Sequence, residues 1–170
     1  MKLIILGAGG YGQTVADVAD QSGKYEEIHF LDDNSTADNV IGKCNYFVKY
    51  KNCLIYPAFG NNKMRLKWIE RLLNENYRVP TIIHPTAYIS PKSKIEDGCV
   101  ILPHVVINTN CLIKKGCIIN CGSIIDHGCI IEECVHICLG AIVKAENRIE
   151  KCSKIEAGNV VDARKFPVWS

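Results

Sequence analysis

The chain of 170 residues carries 20 basic and 18 acidic side chains for a net charge of +2, with no long run of either sign, so neither a nucleic acid nor an anionic membrane surface is indicated as a partner. An apolar share of 48% supports ordinary cores in one domain or two small ones, and no apolar run is long enough to cross a bilayer. The ten cysteines form no two C-x-x-C pairs at finger spacing, so no metal is expected; with no signal-peptide pattern around Leu3 to Leu6, reduced thiols in the cytoplasm are expected.

Lys2 to Leu6 is an apolar run that ends in Gly7-Ala8-Gly9-Gly10-Tyr11-Gly12, and Gln13 to Ser22 follows with Val15, Val18 and Ala19 at helical spacing. This is a strand, a glycine turn and a helix. Glycines at 7, 9 and 12 fit G-x-G-x-x-G, where backbone amides and a helix N-terminus approach a phosphate; a tight turn with no ligand is the alternative. Ile28 to Leu31 reads as a second strand, and Asp32-Asp33 follow Gly12 by about twenty residues, where an acidic side chain meets a ribose in such folds. Gly7, Gly9, Gly10, Tyr11, Gly12, Asp32 and Asp33 are therefore candidates for binding a nucleotide-linked substrate.

Cys53 to Tyr56 reads as a third strand, with Phe59-Gly60-Asn61-Asn62 as its exit loop, and Asn61 joins the substrate-binding candidates. Lys63 to Leu73 is a basic amphipathic helix whose Met64, Trp68 and Leu72 read as core contacts. Ile82-Ile83 is expected to close a small parallel sheet. A dinucleotide fold needs two mononucleotide halves, and about 80 residues hold only one, so a single nucleotide is favoured over NAD. The division falls at residue 80, giving units 1–80 and 81–170 that pack rigidly.

From Ile89 to Val161 an apolar residue returns at every sixth position: Ile89, Ile95, Ile101, Ile107, Ile113, Ile119, Ile125, Ile131, Ile137, Val143, Ile149, Ile155 and Val161. Helices repeat near 3.6 and half-buried strands near 2, so a period of six needs a chain that turns a corner after each short extended segment. A second column, four residues on, is small (Cys99, Val105, Cys111, Cys117, Ser123, Cys129, Val135, Ala141, Ser153), and glycine is frequent just before it. Three hexads make one triangular coil, and about four coils stack because none buries its own apolar face. Val100, Val106, Ile118, Ile124 and Ile130 would leave an apolar strip on a monomer, which predicts a homotrimer.

The repeat resembles the hexapeptide acyltransferases, and the whole chain resembles the sugar acetyltransferases grouped with sialic acid O-acetyltransferase and the UDP-4-amino-sugar N-acetyltransferases of bacillosamine type. The matching stretches are Ile5-Leu6-Gly7-Ala8-Gly9-Gly10, Phe30-Leu31-Asp32-Asp33, Ile83-His84-Pro85-Thr86-Ala87, Asn120-Cys121-Gly122-Ser123-Ile124-Ile125-Asp126-His127 and His136-Ile137-Cys138-Leu139-Gly140-Ala141. The resemblance implies an α/β Rossmann-like unit followed by an all-β left-handed parallel β-helix. Its handedness comes from the family alone, since general rules favour right-handed crossovers. It further implies acetyl transfer from acetyl-CoA to the amine of a UDP-amino sugar in surface-glycan biosynthesis, by a homotrimer. The alternatives are O-acetylation of a sialic-acid-like acceptor and a catalytically impaired nucleotide-sugar-binding trimer.

Histidine suits proton removal near neutral pH, and His127, two residues after inward Ile125, projects from the surface and matches the family's base. His136, with Gly140 and Ala141, is implied to line the acetyl-CoA site. Two features depart from the family. Gly128 stands where an acidic residue usually orients the base, leaving Asp126, or a backbone carbonyl, for that task. Lys144, Glu146 and Asn147 interrupt the repeat beyond His136, where coenzyme A normally lies. Trp169, beyond the repeat, is expected to pack.

Overall fold

The computed structural model describes residues 1–169. Strand β1 (Lys2–Leu6) lies between β2 (Glu27–Leu31) and β3 (Leu54–Pro57) in a three-stranded parallel sheet of order β2-β1-β3. Leu3, Ile4, Ile5 and Leu6 are all buried because a central parallel strand is covered on both faces. Helix α1 (Gly10–Gln21) follows the glycine turn, and α2 (Asn62–Asn74) begins at the Asn61 side chain, whose Oδ1 accepts the Met64 amide at 2.9 Å.

Ile82–Ile83, expected in this sheet, pairs instead in parallel with Val100–Ile101 and opens the solenoid. Ile83 sits six residues before Ile89, so the apolar column starts one hexad earlier than the sequence reading placed it. The solenoid carries fourteen two-residue strands in three parallel sheets. Ile82–Ile83, Val100–Ile101, Ile118–Ile119, His136–Ile137 and Lys154–Ile155 form the first face; the second runs from Tyr88–Ile89 to Val160–Val161, and the third from Lys94–Ile95 to Arg148–Ile149. This is the expected β-helix of about four coils.

Each corner is set by the backbone. Every sixth residue from Gly98 to Arg164 has positive φ, and half of these are not glycine: His104, Asn110, Cys134, Glu146, Cys152 and Arg164. Each such side chain in the left-handed region costs about 1 kcal/mol, which stacking of the coils offsets.

The small inward column also supplies donors. Ser93, Cys111, Cys129 and Asn147 stack one coil apart, and each side chain donates to the carbonyl fifteen residues on, at 2.5, 3.0, 3.3 and 2.9 Å. Asn147 therefore does not break the repeat; wholly buried, it makes the bond that the cysteines make below it.

The first face is covered within the chain. Arg65 of α2 is fully buried: its Nε donates to Gly116 O (2.8 Å), Nη1 to Phe59 O (2.9 Å), and Nη2 to Cys134 O (3.0 Å) and Asn62 Oδ1 (2.8 Å). Asn62 Nδ2 in turn donates to Cys152 O at 3.0 Å. One turn of α2 thus holds the corner carbonyls of three successive coils, at residues 116, 134 and 152. Gly116 permits this approach, because a Cβ there would lie 2.6 Å from Ile69 Cδ1 and 2.5 Å from Cys134 Sγ. Val100 and Ile118, read from sequence as part of an exposed strip, are wholly buried beneath the first unit. Two outward columns remain for solvent and partners: that of the second face, Tyr88, Val106, Ile124, Ile142 and Val160, is apolar throughout, whereas on the third face Leu112 and Ile130 stand between Lys94 and Arg148. Trp169, expected to pack, is 65% exposed.

Candidate active site

The glycine turn forms one wall of a cleft of about 380 Å³ lined by Gly7, Gly9, Gly10, Tyr11, Gly12, Asp32, Gly60, Asn61 and Met64, among others. Seven of the eight sequence-derived substrate candidates meet here. They do different work. Gly7 has φ +102°, and a Cβ on Gly12 would lie 2.0 Å from Gly7 O, so these two let α1 close on β1. Gly9 and Gly10 have open space where a Cβ would stand, at the N-terminus of α1, whose cap carries no side-chain bond. The helix amides there are available to an anion.

Asp32 Oδ2 accepts the Ala8 amide at 2.7 Å, and its Oδ1 accepts those of Asn34 and Ser35 at 2.8 and 2.9 Å. The Ala8 bond, with the other two, holds its carboxyl below the ordinary carboxylate value. Asp32 therefore fixes the turn. Asp33, the eighth candidate, turns away from the cleft, and its Oδ1 accepts the Cys44 amide at 2.9 Å. Met64, read as a core contact, is 48% exposed and lines the cleft.

A second cleft of about 370 Å³ shares Tyr11 and Gly60 with the first and runs along the first face to Thr14, Leu102, Ile118, Asn120, Cys121, His136 and Leu139. Tyr11 Oη is 2.8 Å from Tyr56 Oη, and burial pushes its phenol up to about 12, so it stays protonated. His136 is half-buried; burial, then the nearby Arg65 charge and that of Lys154, lower it to about 4. Its imidazole is neutral at physiological pH. Gly140 and Ala141 follow at the corner, with Ala141 pointing into the core.

His127 occupies the corner between the second and third faces, more than half exposed, with Nδ1 3.1 Å from Asp126 Oδ1. That oxygen also accepts the His127 amide (2.7 Å) and Asn108 Nδ2 (3.1 Å) from the coil before. Partial burial pulls the Asp126 carboxyl upward, yet the donors from His127 and Asn108 hold it below its usual value. An ionised Asp126 places the ring proton on Nδ1 and leaves Nε2 free to take one. A triangular coil puts this corner opposite the first face, so in one chain His127 and the two clefts lie apart. Sequence reading missed Asn108, Arg65 and Thr14, which carry no motif, and gave no role to Leu139 within its matched stretch; the stacked coils and the helices laid on them bring these residues to the site.

Residues 2–72 match the family model described as the PglD N-terminal domain. The acetyltransferase domain of PglB from Neisseria gonorrhoeae FA1090 is 33% identical, with a TM-score of 0.92 over 96% of this chain and 83% of its own. The chain belongs to the hexapeptide-repeat sugar acetyltransferases. The PglB domain is also known in complex with acetyl coenzyme A, with the same identity and TM-score. A variant of perosamine N-acetyltransferase from Caulobacter crescentus, in complex with CoA and GDP-perosamine, is 22% identical with a TM-score of 0.85 over 98% of this chain and 90% of its own. At that identity it speaks for the fold.

In this acetyltransferase the corner between the first and second faces stacks Gly122, Gly140 and Gly158, all at positive φ and all with open space where a Cβ would stand. This leaves a strip of bare backbone along that corner, beside His136. Among the described residues no group of His, Cys, Asp or Glu is placed to hold a metal ion, and no helix is long and apolar enough to cross a membrane.

Proposed function

We propose that the protein transfers the acetyl group of acetyl-CoA to the amine of a UDP-linked amino sugar, with His127 as general base and the site assembled between subunits of a homotrimer. The observation that carries this reading is the pair of clefts joined at Tyr11 and Gly60, one at the open glycine turn and one ending at His136. A nucleotide diphosphate on the α1 amides would extend its sugar along the first face towards His136. The base lies at the opposite corner of its own coil, so a second copy has to bring one in. The second-face column of Tyr88, Val106, Ile124, Ile142 and Val160, apolar in every coil, is the surface on which copies would meet.

The chemistry follows from the ring. The sugar amine forms a C–N bond to the thioester carbonyl carbon while His127 Nε2 takes its proton, and the C–S bond breaks. The imidazolium returns a proton to the leaving thiolate, giving an acetamide and free coenzyme A. A general base contributes roughly 100- to 10,000-fold, so His127→Ala should lower kcat by that order while leaving nucleotide-sugar affinity and assembly unchanged. Thiol release would be followed with UDP- and GDP-linked 4-amino sugars and with free sialic acids. Near-normal turnover of His127→Ala refutes the base, a preference for GDP sugars refutes the uridine assignment, and consumption of sialic acid alone refutes N-acetylation.

A further inference from the structure

The two histidines stand against neighbours of opposite character. Beside His127 is a carboxylate, which only accepts. Beside His136 is the Asn120 amide, 3.2 Å from Nε2, and its orientation is fixed because Asn120 Oδ1 accepts the Cys121 amide at 2.8 Å. The group facing His136 Nε2 is therefore the Asn120 NH2, a donor, and Nε2 must accept. A neutral imidazole carries one proton, which leaves it on Nδ1.

His136 lines the second cleft, and Nδ1 is its remaining ring nitrogen. Among the described residues it makes no hydrogen bond, and none of their buried side-chain nitrogens or oxygens lacks a partner, so Nδ1 is accessible. The charged groups around the ring are Arg65 from α2 and Lys154 and Glu156 from the next coil, with the Tyr11 phenol across the cleft. Burial, and after it the charges of Arg65 and Lys154, oppose a second proton, so the neutral form persists through the physiological range.

We propose that Asn120 is a positioning residue that locks His136 with its proton on Nδ1, making His136 a hydrogen-bond donor to an oxygen of the bound nucleotide sugar and the converse of His127. The role of the donor rests on the function proposed above. The tautomer itself does not, because it is fixed in the ligand-free protein. A base at one histidine and a fixed donor at the other keeps proton removal and substrate orientation on separate rings.

The test is long-range proton–nitrogen NMR on the full-length protein labelled at histidine, with the His136 signals assigned by their loss in His136→Gln. At pH about 9, above the ordinary histidine range, His136 should show a protonated Nδ1 and an unprotonated Nε2. Asn120→Asp keeps the acceptor for the Cys121 amide but replaces the NH2 with an acceptor, so the proton should move to Nε2. Loss of one neutral hydrogen bond corresponds to a roughly 2- to 12-fold drop in kcat/KM for the nucleotide sugar in this variant, with KM for acetyl-CoA unchanged. A merely structural Asn120 would shift the unfolding midpoint and leave the tautomer alone. A wild-type proton on Nε2, or the same tautomer in Asn120→Asp, overturns the assignment. The expected tautomers in a protein that acetylates no nucleotide sugar uphold the lock and overturn the donor's substrate.

Discussion

Replacing Arg65 by methionine probes what holds the first unit to the solenoid. The side chain is fully buried, has no carboxylate partner, and donates to three carbonyls, Phe59 O, Gly116 O and Cys134 O, that no other backbone amide among the described residues reaches. Each carbonyl stripped of its donor in a buried setting costs about 1–3 kcal/mol, so the two on the solenoid, Gly116 O and Cys134 O, give about 2–6 kcal/mol across the interface, and the part-buried Phe59 O adds to this within the first unit. Removing the guanidinium also removes its desolvation penalty of several kcal/mol, and methionine refills most of the volume. The net loss should be about 2–5 kcal/mol, concentrated at one interface. Urea unfolding followed separately by Trp68, which packs against Phe47 and Phe59 in the first unit, and by far-UV circular dichroism should show transitions that coincide in the wild type and separate in Arg65→Met. A loss below about 1 kcal/mol, with coincident transitions, would refute the view that these bonds fasten the two units.

Gly9→Leu should fold normally, since Gly9 has an ordinary φ of −69° and nothing within 4 Å of its Cβ position; calorimetric titration should nonetheless show at least about 10-fold weaker nucleotide-sugar binding as the side chain fills the phosphate approach. Gly116→Ala should destabilise by about 2–4 kcal/mol in thermal unfolding, from left-handed strain and overpacking against Ile69 and Cys134. His136 is lowered to about 4 from 6.5, so between those values the unfolded chain binds more protons than the folded one. The stability this histidine contributes is thus fully present above about pH 6.5 and is lost as the pH falls towards 4, an acid slope that His136→Asn should flatten in urea titrations at several pH values. Sedimentation velocity should show the wild type as an oligomer and Ile124→Asp, which puts a charge in the apolar second-face column, as a monomer at the same concentration.

The solenoid was legible because a period of six is written in side chains that face one core, and the same column located the corners at which His104 or Cys134 takes the place of glycine. The glycine turn was legible for a similar reason: Gly7 and Gly12 answer to local backbone demands. What escaped was set by stacking. Ile82-Ile83 has the composition of either sheet, and only its pairing with Val100–Ile101 decides. The burial of Val100 and Ile118, the exposure of Met64 and the Asn108–Asp126 bond depend on which coil or helix lies alongside. An eighteen-residue stride through the sequence would have shown Asn108 beneath Asp126. Arg65 drew no notice in the sequence because its partners are backbone carbonyls, which leave no trace in composition.

The donor rung inside the solenoid gives the protein a set of built-in reporters. Cys99, Cys117 and Cys129 have no exposed surface, and each thiol is tied to a carbonyl of the following coil. A thiol reagent reaches them only when the coil above has lifted away, so labelling rates measure coil opening one rung at a time. Coils pinned by α2 should react more slowly than those beyond its reach, and the spread of rates would chart how far the first unit steadies the structure along the solenoid axis.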